Sequence, residues 1–563
     1  MSRSFFRKNF SYLLIGLSVI LAIIGYAIYF KRYNVPYNIS DLAYAILRLF
    51  TIDGSFESTV VNLPLNIARF LAPVSLATAI IQGFLRLFSS KLRLRKMKSF
   101  REHIIVCGDA SNNLQLVRNL KQRSRQNVLL NSKVPVNTED AEHEEQLQVK
   151  MEQPDAASLE SIGFYQSRYF IVSYENDTRS LLFVKELIQA VDLQQVVKPL
   201  DVIILFNNPE WMEYSADLEI MEQARDNVIN HRHLTIRYLN YKDAAIRKIM
   251  ISHAPDVYKP VMAVSDPQQQ VCLVGYNEIA ERLIINLALH SHYINHLKLR
   301  IYLFADSTDG FKQFEAKYQL RNMLEISCLQ LENLQDFDQA VAAVYLAEKD
   351  ETTLLKAFSA FQMNDILRPA PKIVLTDNLY PVASLIKKMP VVIENISEQA
   401  TVFEHIIDES IDHFAEIIHN DYLKKLDSVD DTLPTQRPWH LLSDEVRNRN
   451  RIQADHIKIK IRSLGCNMVP ENEPVINYDL STDERFEALS KTEHERWNAY
   501  MYYKGWKPGP VRNDALKVHT DLIPYEELSK IKKDYDRNTI RNISELVKEL
   551  GYKIIHQTES SQN

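Results

Sequence analysis

The residue types best suited to binding a small ligand are found near the end of the chain, where aromatic and basic side chains alternate. A ring stacked on a nucleobase contributes about 1–3 kcal/mol, and a guanidinium group matches the geometry of a phosphate. This region can therefore stack a purine and meet its phosphate. The alternative is that the rings form the core of a small domain, a role that fits Trp506 better than Trp497. The aromatic residues are Trp497, Tyr500, Trp506 and Tyr525, and the arginines are Arg496, Arg512 and Arg537.

The sequence has no pattern typical of catalysis or of a metal site. His494-Glu495 begins like a zinc-binding His-Glu-x-x-His motif, but position 498 is Asn. Acidic and histidine residues recur between 404 and 416, but isoleucines interleave with them, as in an amphipathic helix with one solvated face. We therefore predict neither an enzyme nor a metal site. The residues of that helix are Glu404, His405, Asp408, Asp412, His413 and Glu416.

The aromatic region lies within an internal repeat. The segment Pro438–Ser443 aligns with Pro524–Ser529, and Leu464-Gly465 aligns with Leu550-Gly551. Each copy is typical of a turn, a short helix and a longer helix that ends at glycine. A further helix begins near His494, between the copies. We predict a small, mainly helical domain with pseudo-twofold symmetry over residues 427–563, after a proline-containing linker.

The same region resembles the ryanodine receptor repeat (RyR) domain. The resemblance depends on many correctly spaced positions over about 60 residues, with Pro508 and Thr520 as departures. It implies a ligand-responsive module in which the tryptophan matching Trp497 faces a pocket for an adenine compound. The matching positions are His494-Glu-x-Trp497, Gly505-Trp506, Gly509-Pro510-Val-Arg512, Lys517-x-His519, Leu522 to Tyr525 and Asp536-Arg537.

Two copies of an α/β unit precede that domain. Ile105–Gly108 aligns with Cys272–Gly275, and in each copy an apolar strand, a glycine turn and an amphipathic helix follow one another. Alternating strands and helices predict a doubly wound parallel sheet in each copy. Further strands are predicted at 169–173, 202–206 and 234–238, and at 300–304, 341–346 and 373–376.

These units resemble the RCK (TrkA-N) domains that regulate potassium conductance, over residues 101–260 and 261–426. The resemblance implies a homotetramer with a cytoplasmic ring. The dinucleotide fingerprint keeps only its first glycine, Gly108 or Gly275, because Ala110 and Asn277 replace the second. Asp306 is a possible ribose partner. Binding of NAD or an adenine nucleotide is therefore a weak prediction here, favoured in the second copy.

The first 100 residues predict a membrane hairpin. Ser11–Phe30 and Asn66–Phe88 are apolar and long enough to cross a bilayer, which takes about 20 helical residues. The basic run Lys91–Arg101 indicates a cytoplasmic location for the chain beyond it, so both termini are predicted to be cytoplasmic. A cleaved signal peptide is the alternative for the first span, but its apolar region would be shorter.

The order of helix, short helix, Thr-x-x-Gly loop and helix resembles the pore module of two-span potassium channels. The short helix is predicted over Leu42–Phe50, with Ser40 and Asp41 as caps, followed by Thr51-Ile52-Asp53-Gly54-Ser55. Asp53 replaces the first glycine of the family's filter. A ring of such carboxylates would favour cations broadly. The alternative is a loop on the outer surface without a pore.

Composition limits the remaining possibilities. The chain has 563 residues, a net charge of −6 and four cysteines without a Cys-x-x-Cys pair, which indicates several domains and no nucleic-acid partner. We therefore predict a prokaryotic, homotetrameric, ligand-gated cation channel of the inner (cytoplasmic) membrane, in contact with the lipid bilayer and controlled by a nucleotide. The rivals are a non-conducting membrane receptor and a regulatory subunit of a potassium transporter.

Overall fold

The computed structural model falls into two compact units, Met1–Arg101 with Leu129–Gln166 and Glu102–Val128 with Ser167–Asn563. It describes only part of the chain within them. The described residues are 3–51, 61–123, 128–131, 147–148, 153–211, 233–376, 391–401, 406, 410–430, 432–474 and 477–556.

The first unit contains two long apolar helices. Over Tyr12–Arg32 and Leu63–Ile81 they are long and apolar enough to cross a membrane, in agreement with the predicted hairpin. The unit also contains a shorter helix, and in it residues of β2 pair with β3 in parallel orientation. Its elements are α1 (Arg3–Arg32), α2 (Ile39–Phe50), α3 (Leu63–Lys98), β3 (Leu147–Gln148) and α5 (Ala156–Ser161), and β2 covers Val128–Asn131.

Small residues allow α1 and α3 to approach closely. Ala22, Ala68 and Ala72 are fully buried between them. A Cβ added at Gly25 would lie 2.6 Å from the backbone nitrogen of Leu65. Such contacts replace the hydrophobic effect as the source of helix association in lipid.

The short helix α2 begins earlier than predicted. Asn38, rather than Ser40 or Asp41, is its N-cap, and Asp41 completes the capping box by accepting from the Asn38 backbone N–H. Thr51 ends the helix and donates its hydroxyl hydrogen to the Arg48 carbonyl over 3.0 Å. The remaining predicted pore residues, Ile52, Asp53, Gly54 and Ser55, lie outside the described residues.

In the second unit the first α/β copy contributes four parallel strands in the order β1-β4-β5-β6. All four strand predictions are confirmed to within a few residues. Its elements are β1 (His103–Cys107), α4 (Asn113–Arg123), β4 (Ser167–Val172), α6 (Asp177–Ala190), β5 (Leu200–Phe206) and β6 (Leu234–Asn240).

The second copy is a complete parallel sheet in the order β12-β11-β10-β7-β8-β9. The first and fourth strands of the copy, β7 and β10, are neighbours, so helices cover both faces and the strands are near-continuous apolar runs. This confirms a doubly wound sheet. Its elements are β7 (Gln270–Val274), α9 (Glu278–His290), β8 (Leu299–Phe304), α10 (Phe311–Lys317), β9 (Leu324–Leu329), β10 (Ala343–Leu346), α11 (Glu351–Met363), β11 (Lys372–Thr376), β12 (Val391–Asn395) and α12 (Ile396–Ala400).

Two helices join the copies, α7 (Tyr241–His253) and α8 (Pro255–Tyr258). Although α7 precedes residue 261, where we placed the start of the second copy, its buried side chains lie in the core of that copy. Ala245, Ile246 and Ile249 pack there with residues of α9. The second sheet therefore takes one covering helix from the segment before it.

The C-terminal region confirms the internal repeat. Ser443 and Ser529 cap equivalent helices, and each helical segment ends at a glycine with positive φ, Gly465 or Gly551. The strands after these glycines pair antiparallel, which the sequence did not predict. The elements are α13 (His413–Lys424), α14 (Asp444–Ser463), β13 (Cys466–Pro470), α15 (Phe486–Tyr503), β14 (Lys507–Pro508), β15 (Val518–His519), α16 (Lys530–Arg541), α17 (Ile543–Glu549) and β16 (Tyr552–His556).

Candidate functional site

Helix α15 and the loop after it bring together an aromatic cluster, which we define as His494, Trp497, Trp506, His519 and Tyr525. The His494 ring is stacked on Trp497 with centroids 5.7 Å apart, and the ring of His519 meets the indole edge-on at 5.0 Å. Trp506 contacts His519 at 5.8 Å. Trp497 is only half-buried. The predicted stacking residue therefore keeps accessible surface beside two imidazole rings.

Hydrogen bonds fix the imidazole of His494. Its Nε2 donates to the Ile523 carbonyl over 2.8 Å, and its Nδ1 lies 3.4 Å from the Asp536 carboxylate. Burial raises the pKa of Asp536 above the ordinary value of an aspartate. Tyr525 donates its hydroxyl hydrogen to Glu487 over 3.1 Å, and burial raises its pKa. These hydrogen bonds therefore fix the rings of His494 and Tyr525 within the cluster.

The three predicted arginines have different environments. Arg496 is buried and forms an ion pair with Glu493 at 2.7 Å, and the same carboxylate binds Lys460 at 2.6 Å. Arg537 binds both Glu487 and Asp534. Arg512 is exposed and pairs with exposed Asp514 at 2.7 Å. Because an exposed pair is worth only about 0–1 kcal/mol, Arg512 can change partner most easily.

Tyr500 lies outside the aromatic cluster. It is buried, and the Arg449 guanidinium lies 5.6 Å from its ring centroid. Burial raises the pKa of Tyr500 to about 12. Its position indicates a packing role, which was the alternative stated for these rings.

Helix α15 also contributes to the core of the second sheet, against which Trp497 and Trp506 pack. Ala499, Tyr500 and Met501 pack in one hydrophobic cluster with residues of α9, including Leu283 and Leu287. The predicted RyR-like domain and the second α/β copy therefore share a core.

Two contacts fasten the end of α15 to the second copy. The ring of Tyr503 is stacked on Tyr318 at 5.4 Å. The Gln319 side-chain amide donates to the carbonyls of Tyr502 and Trp506 over 3.1 and 3.3 Å. Gln319 itself has φ of 52°, a left-handed conformation. The helix C-terminus is therefore satisfied by a residue of the neighbouring domain.

A buried ionic network joins α7, α13 and α14. Arg247 of α7 binds Asp455 and Asp412, and Arg451 binds Asp412 and Asp444. Burial alone would raise the pKa of Asp412, but Arg451 and Arg247 hold it well below the ordinary value. Our prediction that Asp412 lies on a solvated face is therefore wrong, because two arginines distant in sequence cover it.

The other members of the predicted polar helix divide in two. His413 and Glu416 are exposed, as predicted, and lie 3.9 Å apart. Glu404, His405 and Asp408 lie outside the described residues. Within the described ranges, no three His, Cys, Asp or Glu side chains converge as metal ligands.

One buried and two half-buried histidines lie where α9 meets α14. The His456 Nε2 donates to the His292 carbonyl over 3.0 Å, and the His290 Nδ1 donates to the Asn286 carbonyl over 2.8 Å. Burial lowers the pKa of His292 to about 3 and lowers those of His290 and His456. All three are therefore neutral in the folded chain at neutral pH.

The residues predicted as weak cofactor ligands are largely engaged by the protein itself. Gly275 has φ of 90°, as a tight turn requires, and the side-chain Oδ1 of Asn277 accepts from the backbone N–H groups of Ile279 and Ala280. In a nucleotide-binding turn, the N–H groups at these positions donate to a phosphate instead. Asp306 is exposed just after β8.

In the first copy, different groups surround the corresponding glycine turn, which follows β1. Gly108 has φ of 132°, and a Cβ there would lie 1.9 Å from the Ser173 carbonyl oxygen. The Glu175 carboxylate accepts from the Ser111 N–H over 3.1 Å. A negative charge at this turn opposes binding of pyrophosphate.

Comparison with known proteins supports the C-terminal resemblance. The model of the RyR domain family matches residues 475–556, which contain the whole aromatic cluster and confirm the predicted RyR domain. No curated protein matches the chain.

Solved structures of the GsuK channel are similar at low identity. "GsuK channel bound to NAD" is 10% identical over 86% of this chain and 89% of that chain, with a TM-score of 0.36. "Crystal structure of the GsuK bound to ADP" is 12% identical over 70% and 95%, with a TM-score of 0.34. "Crystal Structure of the GsuK RCK domain" is 11% identical over 56% and 79%, with a TM-score of 0.33.

Proposed function

We propose that the chain is a ligand-gated cation channel in which the RyR domain senses a small adenine nucleotide. The observation that carries the proposal is the position of α15. Trp497 lies in the aromatic cluster beside His494 and also packs against the core of the second sheet, which contains Ala499 and Met501 of the same helix. A ligand that moves the helix must therefore also move the packing of that sheet.

In this proposal the purine stacks on the accessible surface of Trp497. Arg512 supplies the phosphate contact, because its ion pair with Asp514 is exposed and breaking it costs little free energy. Arg496 serves the fold instead, since its guanidinium is buried against Glu493. The side chains of His494, Tyr525 and Arg537 fix the positions of the groups around the Trp497 indole.

Transmission begins at the C-terminal end of α15. A shift of this helix changes the Tyr503–Tyr318 stack and the two hydrogen bonds from Gln319. The energetic demand is modest. Moving an equilibrium from mostly closed to mostly open takes about 5.5 kcal/mol of differential affinity, which four subunits would share.

The membrane part of the proposal is the hairpin of α1 and α3. We propose that it spans the inner membrane with both termini cytoplasmic and forms a pore in a homotetramer. Its support is the two apolar helices and the basic run that begins at Lys91. The proposal assigns no catalytic activity to the chain.

Flux through proteoliposomes tests the proposal directly. The full chain is reconstituted, potassium flux is recorded against a panel of adenine nucleotides, and binding is measured by calorimetry in detergent. We expect one nucleotide to change flux, and Trp497→Ala to abolish both binding and response.

Tyr535→Ala is the matched control, because Tyr535 is an exposed aromatic residue of the same domain. The proposal is wrong if Trp497→Ala binds as tightly as the parent. Binding without any flux would instead favour the non-conducting receptor.

A further inference from the structure

Arg69 is a charged residue inside the second apolar span. Its backbone lies about 9 Å along the helix axis from Leu63, at 1.5 Å per residue. The side chain is exposed, and the guanidinium lies 5.1 Å from the ring centroid of Phe70. Among the described residues, no carboxylate forms an ion pair with it. In the described part of the chain, the span therefore carries a permanent positive charge without a counter-ion.

Helical geometry shows which side of α3 carries this charge. Helix α1 covers Ala68 and Ala72, so Arg69 lies beside the covered face. Of the residues three and four positions away, Leu65 and Ala72 are buried, Pro73 is half-buried and Asn66 is exposed. Arg69 and Asn66 therefore form a short polar strip, one turn long, beside the α1 contact.

A charge on such a strip needs water or a polar partner. Ionisable side chains inside membrane spans face a bundle interior or a water-filled cavity, because exposure to hydrocarbon costs several kcal/mol. The alternative is that Arg69 stretches along the helix toward Leu63 and reaches the lipid headgroups. Asn66 on the same side favours water, since its amide would also face hydrocarbon otherwise.

We propose that Arg69 lines a water-filled vestibule formed where copies of this chain meet, and that its charge there lowers the preference for cations over anions. The inference rests on the proposed channel function. A unit charge 4 Å from an ion in water is worth about 1 kcal/mol, and it repels a cation and attracts an anion, so the two effects together correspond to roughly 30-fold in relative permeability.

Thiol labelling tests the vestibule without requiring ion flow. The full chain carrying Cys328→Ser, which removes the one cysteine exposed among the four, is reconstituted with Arg69→Cys or Phe70→Cys. Phe70 is the matched control because it is 64% exposed on the apolar side of the same helix turn. A charged, membrane-impermeant methanethiosulfonate should modify position 69 at least tenfold faster than position 70. Equal rates, or no modification at 69, overturn the vestibule.

Reversal potentials in a potassium chloride gradient test the effect of the charge. Arg69→Gln should raise the potassium-to-chloride permeability ratio about 30-fold, whereas Arg69→Lys should retain the parent ratio. Arg32→Gln, at the end of α1, controls for charge near the membrane surface and should change nothing. An unchanged ratio in Arg69→Gln, with flux intact, overturns the role in selectivity. Absence of flux in the parent overturns the channel itself, so the two failures are distinguishable.

Discussion

Asn277 stands where a nucleotide-binding turn has its second glycine, and its side chain takes the hydrogen bonds that a phosphate would accept. The two N–H groups at the start of α9 both point to its carbonyl oxygen. The loss of the fingerprint is therefore more than a missing glycine, because the replacement residue also satisfies the helix N-terminus.

Asn277→Gly should therefore create nucleotide affinity in the second α/β copy. The change frees the Ile279 and Ala280 N–H groups and costs the helix cap only a few tenths of a kcal/mol. We expect the dissociation constant for NAD to fall at least tenfold, about 1.4 kcal/mol, by calorimetry on the full chain. Asn277→Ala is the control, since it frees the same groups but keeps a Cβ. Equal affinity in parent and glycine variant would contradict this prediction.

The buried carboxylate of Glu493 belongs to the core rather than to the ligand site. Burial alone would raise its pKa, but Arg496 and Lys460 lower it to about 2. Glu493→Gln would leave two buried cations without a carboxylate and should destabilise the RyR domain by about 3 kcal/mol. Tryptophan fluorescence during urea unfolding measures this, because Trp439, Trp497 and Trp506 lie in that region. Exposed Glu527→Gln should stay within about 0.5 kcal/mol of the parent, and an equal effect of both changes would refute the assignment.

Where α9 meets α14, the neutral histidines predict loss of stability in acid. Their folded pKa values are depressed below the unfolded value of about 6.5, so the unfolded chain binds protons first as the pH falls. The contribution is complete above about pH 6.5 and is lost progressively toward about pH 3. The charged groups that influence them are Arg247, Asp455, Lys460 and Arg496.

His292→Asn should reduce the dependence of unfolding free energy on pH by about 1.4 kcal/mol per pH unit between pH 4 and 6. Urea titrations at several pH values measure the slope. His440→Asn, at an exposed histidine of the RyR domain, should leave the slope unchanged. A parent slope retained in His292→Asn would show that this histidine is not the proton acceptor.

The connector between helix α3 and strand β1 is short. Helix α3 continues to Lys98, and β1 begins at His103. Inserting ten Gly/Ser residues after Ser99 should preserve nucleotide binding but remove its effect on flux, because a flexible linker absorbs displacement. Ten residues inserted near Val197, in an exposed loop of the first α/β copy, serve as the control for insertion itself. Gating that survives the first insertion would exclude transmission through this segment.

Elements with one dominant local signal could be predicted from sequence. The central strands of both sheets, such as β1 and β7, are apolar runs, and the paired serines and glycines mark the repeat in the C-terminal domain. The edge strands β9 and β12 carry polar residues and were not predicted. The errors concern long-range partners. Asp412 was expected in solvent, because neither Arg247 nor Arg451 is near it in sequence. Most of the aromatic cluster could be predicted, although Tyr500 lies outside it and His519 was not among the predicted ligand residues. The shared core could not be predicted, since Leu283 and Met501 lie far apart in the sequence.

The shared core also determines which parts of the molecule can be studied alone. An isolated fragment of residues 430–563 would expose Ile452, Tyr500, Met501 and Leu522, which are buried against the second copy. We expect it to aggregate or unfold at lower temperature than a fragment of residues 233–563, which also keeps α7. Size-exclusion chromatography and thermal unfolding compare the two. Equal stability would show that the shared core contributes little.

The placement of α15 has a consequence for synthesis on the ribosome. Helix α9 is complete at His290, but the helix that covers it ends only at Tyr503. At 5–20 residues per second, this side of the nascent second domain stays uncovered for roughly 10–40 s after α9 has been made. The apolar surface of α9 is exposed to solvent for that time, because α15 has not yet been made. The newly made chain therefore depends on protection from aggregation until its last domain has left the ribosome.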